Sequence, residues 1–227
     1  MRSERQRTTA SVARRTAQHR QALVTSGQLT LVYRQMYEPM AAMITPLDVV
    51  KVLNKAKVGF VLMGTHGVGG YRDQARATED VDILVRRVDL KKAISALGAA
   101  FPNLTCEDHT AVTRFLDPAT GKPVIDLMKP VQPVFQMAFR EAVKVGDYRI
   151  PNLEMALVSK FAAMTSPNRA YDKKLIDAGD FVNIVMTNQR KINRARLGRL
   201  ADKVYPDGGK DIVQMVENIA AGKPIQF

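Results

Sequence analysis

The sequence predicts an α+β fold, in which a small mixed β-sheet core packed with helices is followed by a helical C-terminal region. Short apolar runs bounded by glycine and turn residues, a pattern typical of buried strands, are concentrated between residues 59 and 128. From Pro130 onward, apolar residues recur mostly at helical spacing. With 46% apolar and 25% charged residues among 227, the composition is that of a folded protein with one principal core. We therefore expect a basic arm at 1–40, an α/β core at 41–150 and a helical region at 151–227.

The arm at 1–40 contains seven arginines, two glutamates and no lysine, and it shows only weak periodicity before Leu29. This pattern predicts a segment that is partly helical or mobile. Three alternatives for its role stay open: a contact with RNA, a transit-peptide-like leader, or a solvated tail.

Regular structure is predicted from Thr45, which suits a helix cap, because Pro46 fits the first helical position and Asp48 the first turn. That helix should end near Lys57. Asp89 is expected to cap a second helix. Strands are predicted at 59–63, 80–85, 110–116 and 123–128. Beyond Pro130, helices are predicted at 132–143, 152–164, 169–187, 191–204 and 208–221, with an edge strand at 148–150.

The strand at 80–85 carries the chemistry that the sequence indicates most clearly. Residues two apart in a strand project from the same face, so Asp80 and Asp82 present two carboxylates side by side. Asp126 ends another apolar run and supplies a third carboxylate if its strand lies beside the first. Three such carboxylates suit Mg²⁺ or Mn²⁺, and phosphoryl transfer uses this arrangement.

Gly64 and Thr65 end the strand that precedes this pair. Glycine turns and helix N-termini commonly bind phosphate, so the main-chain amides here and the Thr65 hydroxyl are candidate phosphate ligands. The turn matches neither a P-loop nor a dinucleotide-binding fingerprint. His66 lies in the same turn, where it either hydrogen-bonds a nucleotide or is structural. Arg76 either clamps a phosphate or pairs with Asp80.

Together, Leu62–Tyr71 and the Arg-x-Thr-x-Asp-Val-Asp run that begins at Arg76 resemble the signature of polymerase-β-like nucleotidyltransferases, within the small bacterial branch that includes AbiEii-type toxins. The resemblance covers about residues 45–185. One departure is Thr65, which stands where that family has Gly or Ser. The resemblance implies a metal-dependent transferase fold, and it implies that Lys160 and Arg169, in the helices after the sheet, face the nucleotide phosphates. Lys160 and Arg169 also fit a solvated helix face with ion pairs.

The charge of +12 predicts a surface that attracts phosphates, nucleotides or nucleic acid. Basic residues cluster on one predicted helix, opposite its apolar face, and favour either a solvated face or a contact with an RNA acceptor; they are Arg190, Lys191, Arg194, Arg196, Arg199 and Lys203. The single cysteine, Cys106, excludes an internal disulfide. No run of transmembrane length or secretory signal is evident, so we expect a cytoplasmic location and no membrane association.

These observations lead to one main hypothesis and two alternatives. The main hypothesis is a nucleotidyltransferase that moves a nucleoside monophosphate from an NTP to a hydroxyl on RNA, protein or a small molecule and releases pyrophosphate. The first alternative is an inactive nucleotide- or RNA-binding module, which gains weight if Asp126 lies out of reach of Asp80 and Asp82. The second is the toxin of a toxin–antitoxin pair, with an antitoxin as partner.

Overall fold

The computed structural model describes the backbone of residues 4–225 and the side chains of residues 12–225. The chain forms two compact units. The first takes residues up to Gly70 together with Gln74–Lys129 and Lys144–Ile150; the second takes Tyr71–Asp73, Pro130–Val143 and the chain from Pro151 onward. Residues 1–3 of the predicted arm and residues 226–227 of the predicted C-terminal region lie outside the described residues.

A five-stranded mixed sheet forms the centre of the first unit. Its strands are β1 (Phe60–Leu62), β2 (Val81–Val85), β3 (Thr105–Asp108), β4 (Val112–Leu116) and β5 (Pro123–Met128). They lie in the order β1-β2-β5-β4-β3. Strand β2 runs parallel to β5, whereas the β1–β2, β5–β4 and β4–β3 pairs are antiparallel. The predicted mixed sheet is confirmed, with β3 as an additional strand.

Four helices accompany this sheet: α1 (Glu4–Tyr37), α2 (Pro46–Lys55), α3 (Gly64–Val68) and α4 (Leu90–Ala100). Helix α2 begins after the predicted cap residue Thr45, which forms a capping box with Asp48: each side chain bonds the other's backbone N–H. It ends before the predicted Lys57, whose φ of 52° is incompatible with a continuing right-handed helix. Helix α1 is continuous from Glu4 to Tyr37 of the predicted arm, and Leu23 on one of its faces is buried.

Two predictions of local structure are wrong. Asp89 stands at the start of α4 but makes no side-chain cap there; its carboxylate instead accepts hydrogen bonds from the Gly59 N–H and the Arg86 guanidinium. The predicted helix at 132–143 is only α5 (Pro133–Ala138), because the chain then turns at Gly146 (φ 62°) to form the strands β6 (Ala142–Val145) and β7 (Tyr148–Pro151). The predicted edge strand at 148–150 is therefore half of a hairpin.

The second unit is built mainly of helices. Besides α5 these are α6 (Leu153–Thr165), α7 (Tyr171–Asn188), α8 (Arg194–Ala201) and α9 (Gly208–Ala220), close to the predicted ranges. Helix α6 is buried on nearly every side and packs on α7 and α8. In the part of the chain that the structure describes, no helix combines the length and the apolar character needed to cross a membrane.

Candidate metal and nucleotide site

Three carboxylates converge at one edge of the sheet. Asp82 in β2 is paired directly with Asp126 in the parallel strand β5, and Asp80 lies two residues before Asp82, on the same side. Each residue offers one carboxylate oxygen, and these three oxygens all lie within 4.8 Å of one another. The sequence predicted this convergence on the condition that the two strands are neighbours, and the strand pairing meets that condition.

The alternation of side chains along β2 explains how this cluster forms. Val81 and Ile83 are 3% and 0% exposed and belong to the core, so the aspartates between and before them face the opposite side. All three aspartates are half-buried. Apolar packing on one face of the strand therefore holds the charged groups on the other.

Asp126 is a strongly perturbed carboxylate. Burial, followed by the negative charge of Asp80, raises the pKa of Asp126 to about 6, and Arg114 opposes this shift. Its Oδ1 atom is buried without a hydrogen-bond partner, and the Arg114 Nε atom lies 3.6 Å away, beyond normal hydrogen-bond distance. Desolvation and a neighbouring carboxylate thus disfavour the charged form of this group.

The donor set fits a hard divalent cation. Oxygen-only ligands suit Mg²⁺ and Mn²⁺, and the three converging oxygens supply several such ligands. A cation at this point would also offset the repulsion that raises the pKa of Asp126 and would give its buried Oδ1 a partner. Asp80, Asp82 and Asp126 are the residues that would hold it.

The glycine turn lies directly against this cluster. Gly64 has φ 53°, and a β-carbon added to it would stand 1.8 Å from Oδ2 of Asp82. Only glycine leaves room for the carboxylate here and adopts this backbone without strain. The Met63 N–H donates to the Asp82 carbonyl oxygen over 2.8 Å, which keeps the turn and β2 together.

Thr65 and His66 follow in α3 and are both buried, at 5% and 4% exposure. Burial, followed by the charges of Arg76 and Arg34, lowers the pKa of His66 to about 3, so the imidazole is neutral at neutral pH. Its Nδ1 atom is buried without a hydrogen-bond partner. The location beside Gly64 agrees with the predicted site, while nucleotide contacts by Thr65 and His66 stay a prediction.

Arg76 belongs to the segment that leads into β2. Its Nη1 atom donates to the carbonyl oxygen of the adjacent Ala77 over 2.9 Å. This contact orients the guanidinium locally and leaves both predicted roles, phosphate clamp and partner of Asp80, as predictions.

Lys160 and Arg169 lie in the second unit, where both pair with aspartates of α7. Lys160 is 5% exposed, and its Nζ atom lies 2.8 Å from Asp177 and 2.7 Å from Asp180. The Arg169 Nε atom lies 2.6 Å from Asp177. These pairs balance charges inside the unit, and the predicted contact of Lys160 and Arg169 with nucleotide phosphates stays a prediction.

Sequence reasoning missed two arginines of the first unit that act on the carboxylates. Arg114 in β4 pairs directly with Asp126 across the sheet, and the strand register that reveals this cannot be read from the sequence. Arg34 is 5% exposed in α1, and its charge acts on Asp80. Its position as the lone arginine in the apolar half of the arm was the available signal.

Comparison with known proteins gives matches in structure. No family model and no curated protein matches the chain. It is similar to an antigenic nucleotidyltransferase-like protein from Paracoccidioides brasiliensis, with 13% identity, 79% of this chain and 91% of that chain covered, and a TM-score of 0.45. It is similar to JHP933 from Helicobacter pylori, with 15% identity, coverages of 77% and 88%, and a TM-score of 0.47. A putative nucleotidyltransferase from H. pylori gives 15% identity, coverages of 76% and 87%, and a TM-score of 0.41. None of the three is described as an AbiEii-type toxin.

Proposed function

We propose that this protein is a metal-dependent nucleotidyltransferase, which transfers a nucleoside monophosphate from an NTP to a hydroxyl acceptor and releases pyrophosphate. The observation that carries the proposal is the convergence of one carboxylate oxygen each from Asp80, Asp82 and Asp126, all within 4.8 Å of one another. Asp82 and Asp126 lie on the parallel strands β2 and β5, and Asp80 immediately precedes β2. Metal ligands alone would not distinguish a transferase from other metal proteins. The glycine turn at Gly64, which lies directly against the Asp82 carboxylate, is the feature that favours a triphosphate substrate, because glycine turns commonly bind phosphate.

The proposed reaction is an attack of the acceptor hydroxyl on the NTP. The acceptor oxygen attacks the α-phosphorus, the bond between that phosphorus and the bridging oxygen of the β-phosphate breaks, and pyrophosphate leaves. Asp126 serves either as the third metal ligand or as the base that accepts the proton of the acceptor hydroxyl. A divalent cation bound by the three aspartates would neutralise triphosphate charge and polarise the attacked phosphoryl group.

The residues around the Gly64 turn are the proposed ligands of the NTP phosphates. In this proposal the main-chain amides after Gly64 and the Thr65 hydroxyl bind phosphate oxygens, and Arg76 adds a positive charge. His66 is neutral and buried beside the turn, which suits a hydrogen bond rather than a charge interaction. Phosphate binding by Lys160 and Arg169 stays what the family resemblance implies, because Lys160 already pairs with Asp177 and Asp180, and Arg169 with Asp177.

RNA is the acceptor that the charge distribution favours over a small molecule. The net charge is +12, and helix α8 with the turns that flank it exposes Arg190, Lys191, Arg194, Arg199 and Lys203. Their apolar counterparts Leu197 and Leu200 are buried, so the charged side chains are directed outward. Such a surface suits a phosphate backbone.

The test is transfer of label from each radiolabelled NTP to total RNA or to proteins of a lysate, with Mg²⁺ or Mn²⁺. We expect label transfer by the unsubstituted protein, loss of at least about a hundredfold in Asp80→Ala and Asp82→Ala, and retention in Asp147→Ala, which removes an exposed carboxylate of the same unit. NTP binding without transfer under every condition would instead favour the inactive binding module.

A further inference from the structure

The buried side of helix α1 carries three polar side chains besides the apolar Leu23. Ser26, Thr30 and Arg34 are spaced four residues apart, so they lie on the same side of the helix. They are 1%, 6% and 5% exposed. Burying three polar side chains is unfavourable unless each is hydrogen-bonded, so their partners indicate what this face does.

All three side chains bond the main chain of one short segment, residues 76–79, which leads into β2. The Ser26 hydroxyl donates to the Arg76 carbonyl oxygen over 2.6 Å. The Thr78 N–H donates to the Thr30 hydroxyl over 3.1 Å. The Arg34 Nη2 atom donates to the Glu79 carbonyl oxygen over 2.6 Å.

The Thr30 and Arg34 side chains each make a further hydrogen bond outside the segment. The Thr30 hydroxyl gives its own proton to the Ser26 carbonyl oxygen over 2.9 Å, which leaves its lone pairs for the Thr78 N–H. Arg34 also donates from Nη1 to the Ala42 carbonyl oxygen over 2.5 Å, so its guanidinium is fixed at both ends. The three residues therefore form a rigid ladder, which we call the α1 ladder.

The segment held by the α1 ladder has no regular hydrogen-bonding partner strand. Residues 74–80 form neither helix nor strand, and β2 begins only at Val81. Yet this segment carries Arg76 and ends at Asp80, the first of the three converging carboxylates. Without the ladder, the main chain before Asp80 would lose the bonds that the Ser26, Thr30 and Arg34 side chains supply.

We propose that Ser26, Thr30 and Arg34 are positioning residues of the active site, which fix the main chain at 76–79 so that Asp80 stays within metal-binding distance of Asp82 and Asp126. The inference rests on the proposed function, because it assigns α1 a part in organising that site. Residues that orient metal ligands commonly change metal affinity by about 10- to 100-fold when substituted. Arg34 adds a buried positive charge that acts on Asp80.

The experiment uses the full chain and measures Mn²⁺ binding by the loss of the free-ion electron paramagnetic resonance signal, together with kcat, KM for the NTP, and Tm. The variants are Thr30→Val, which keeps the size and removes the hydroxyl, Arg34→Met and Arg34→Lys. The matched control is Leu23→Ala, which removes a buried apolar side chain from the same helix and leaves the three hydrogen bonds of the α1 ladder in place.

We expect Thr30→Val and Arg34→Met to weaken Mn²⁺ binding at least about tenfold and to lower kcat more than they raise KM. Arg34→Lys should recover part of the affinity, because an ammonium can still donate to one carbonyl oxygen. Leu23→Ala should lower Tm with Mn²⁺ affinity close to that of the unsubstituted protein. If Arg34→Met does not fold, Thr30→Val alone decides the outcome.

The ladder has no positioning role if Thr30→Val and any folded Arg34 variant bind Mn²⁺ as tightly as Leu23→Ala does at a comparable Tm. Failure of the proposed function has a different signature. In that case the unsubstituted protein binds Mn²⁺ but transfers no nucleotide. The Mn²⁺ affinities of the variants then still show whether the α1 ladder positions Asp80. An unsubstituted protein that binds no Mn²⁺ would overturn both.

Discussion

Gly64 and the Asp82 carboxylate are in such close approach that no side chain can be placed between them: a β-carbon on residue 64 would stand 1.8 Å from Oδ2. The residue also has φ 53°, where L-amino acids other than glycine are strained. Gly64→Ala should therefore displace Asp82, weaken Mn²⁺ binding at least about tenfold, and cost at least about 1 kcal/mol of unfolding free energy. Titration with Mn²⁺ and denaturant unfolding measure the two effects.

Gly121→Ala is the control for backbone strain. Gly121 has φ 69°, but a β-carbon there would meet nothing within 4 Å. We expect a similar loss of about 1 kcal/mol with unchanged Mn²⁺ affinity. Equal effects of the two substitutions on metal binding would show that contact with Asp82 is not what requires glycine at position 64.

Asp126 should destabilise the metal-free fold at neutral pH. Its folded-state pKa of about 6 is above its ordinary value of 3.8, so the folded state binds the proton more tightly. The resulting stabilisation is present below pH 3.8 and is lost as pH rises toward 6. Asp126→Asn should therefore raise the unfolding free energy at pH 7.5, by at most about 3 kcal/mol, and should abolish nucleotidyl transfer.

The comparison at low pH separates charge from packing in this prediction. At pH 4 the Asp126 side chain is mostly protonated when folded, so Asp126→Asn should change stability little there. Thermal unfolding at pH 4 and 7.5 without metal is the measurement. A variant that is less stable than the parent at pH 7.5 would contradict the prediction and indicate that the Arg114 contact outweighs the desolvation of the carboxylate.

The carboxylate pair was readable from the sequence because strand alternation is local: Asp80 and Asp82 are two residues apart, with Val81 between them. The part played by Asp126 depended on which strands are neighbours, and this is set by long-range pairing. The order β1-β2-β5-β4-β3 places β5 beside β2 although two strands intervene along the chain. Periodicity does not encode that adjacency, so the sequence supported a conditional prediction only.

The role of α1 was missed for a related physical reason. A sequence pattern predicts a packed helix from an apolar face, but α1 buries Ser26, Thr30 and Arg34 beside Leu23. Buried polar residues weaken the periodic apolar signal, and their partners are main-chain atoms about 45 to 50 residues away in sequence. The predicted helix at 132–143 is too long because Ala142 and Val143 fit a helical pattern locally, whereas in the structure they belong to strand β6 of the hairpin.

Lys160 is expected to be important for stability whatever its part in nucleotide binding. It is 5% exposed and lies between Asp177 and Asp180, so Lys160→Met leaves two buried carboxylates without this cation. The expected loss is about 3 to 5 kcal/mol of unfolding free energy. Denaturant unfolding measures it, with Lys210→Met as an exposed control. A loss below about 1 kcal/mol would mean that Arg72 and Arg169 compensate the charges by themselves.

The exposed basic residues of the second unit should determine the salt dependence of RNA binding. Replacing Arg194, Arg199 and Lys203 together by Gln lowers the net charge from +12 to +9, and removes cations that are directed outward. If each contacts a phosphate of single-stranded RNA, the magnitude of the slope of log K for RNA binding against log salt falls by about 2.

The control replaces Lys51, Lys55 and Lys91, which are exposed in the first unit, by Gln and gives the same net charge. Fluorescence anisotropy with a labelled RNA at several salt concentrations measures both. Because net charge is equal in the two variants, a smaller slope only for the α8 variant assigns RNA contact to that face, whereas equal slopes would show a non-specific effect of total charge.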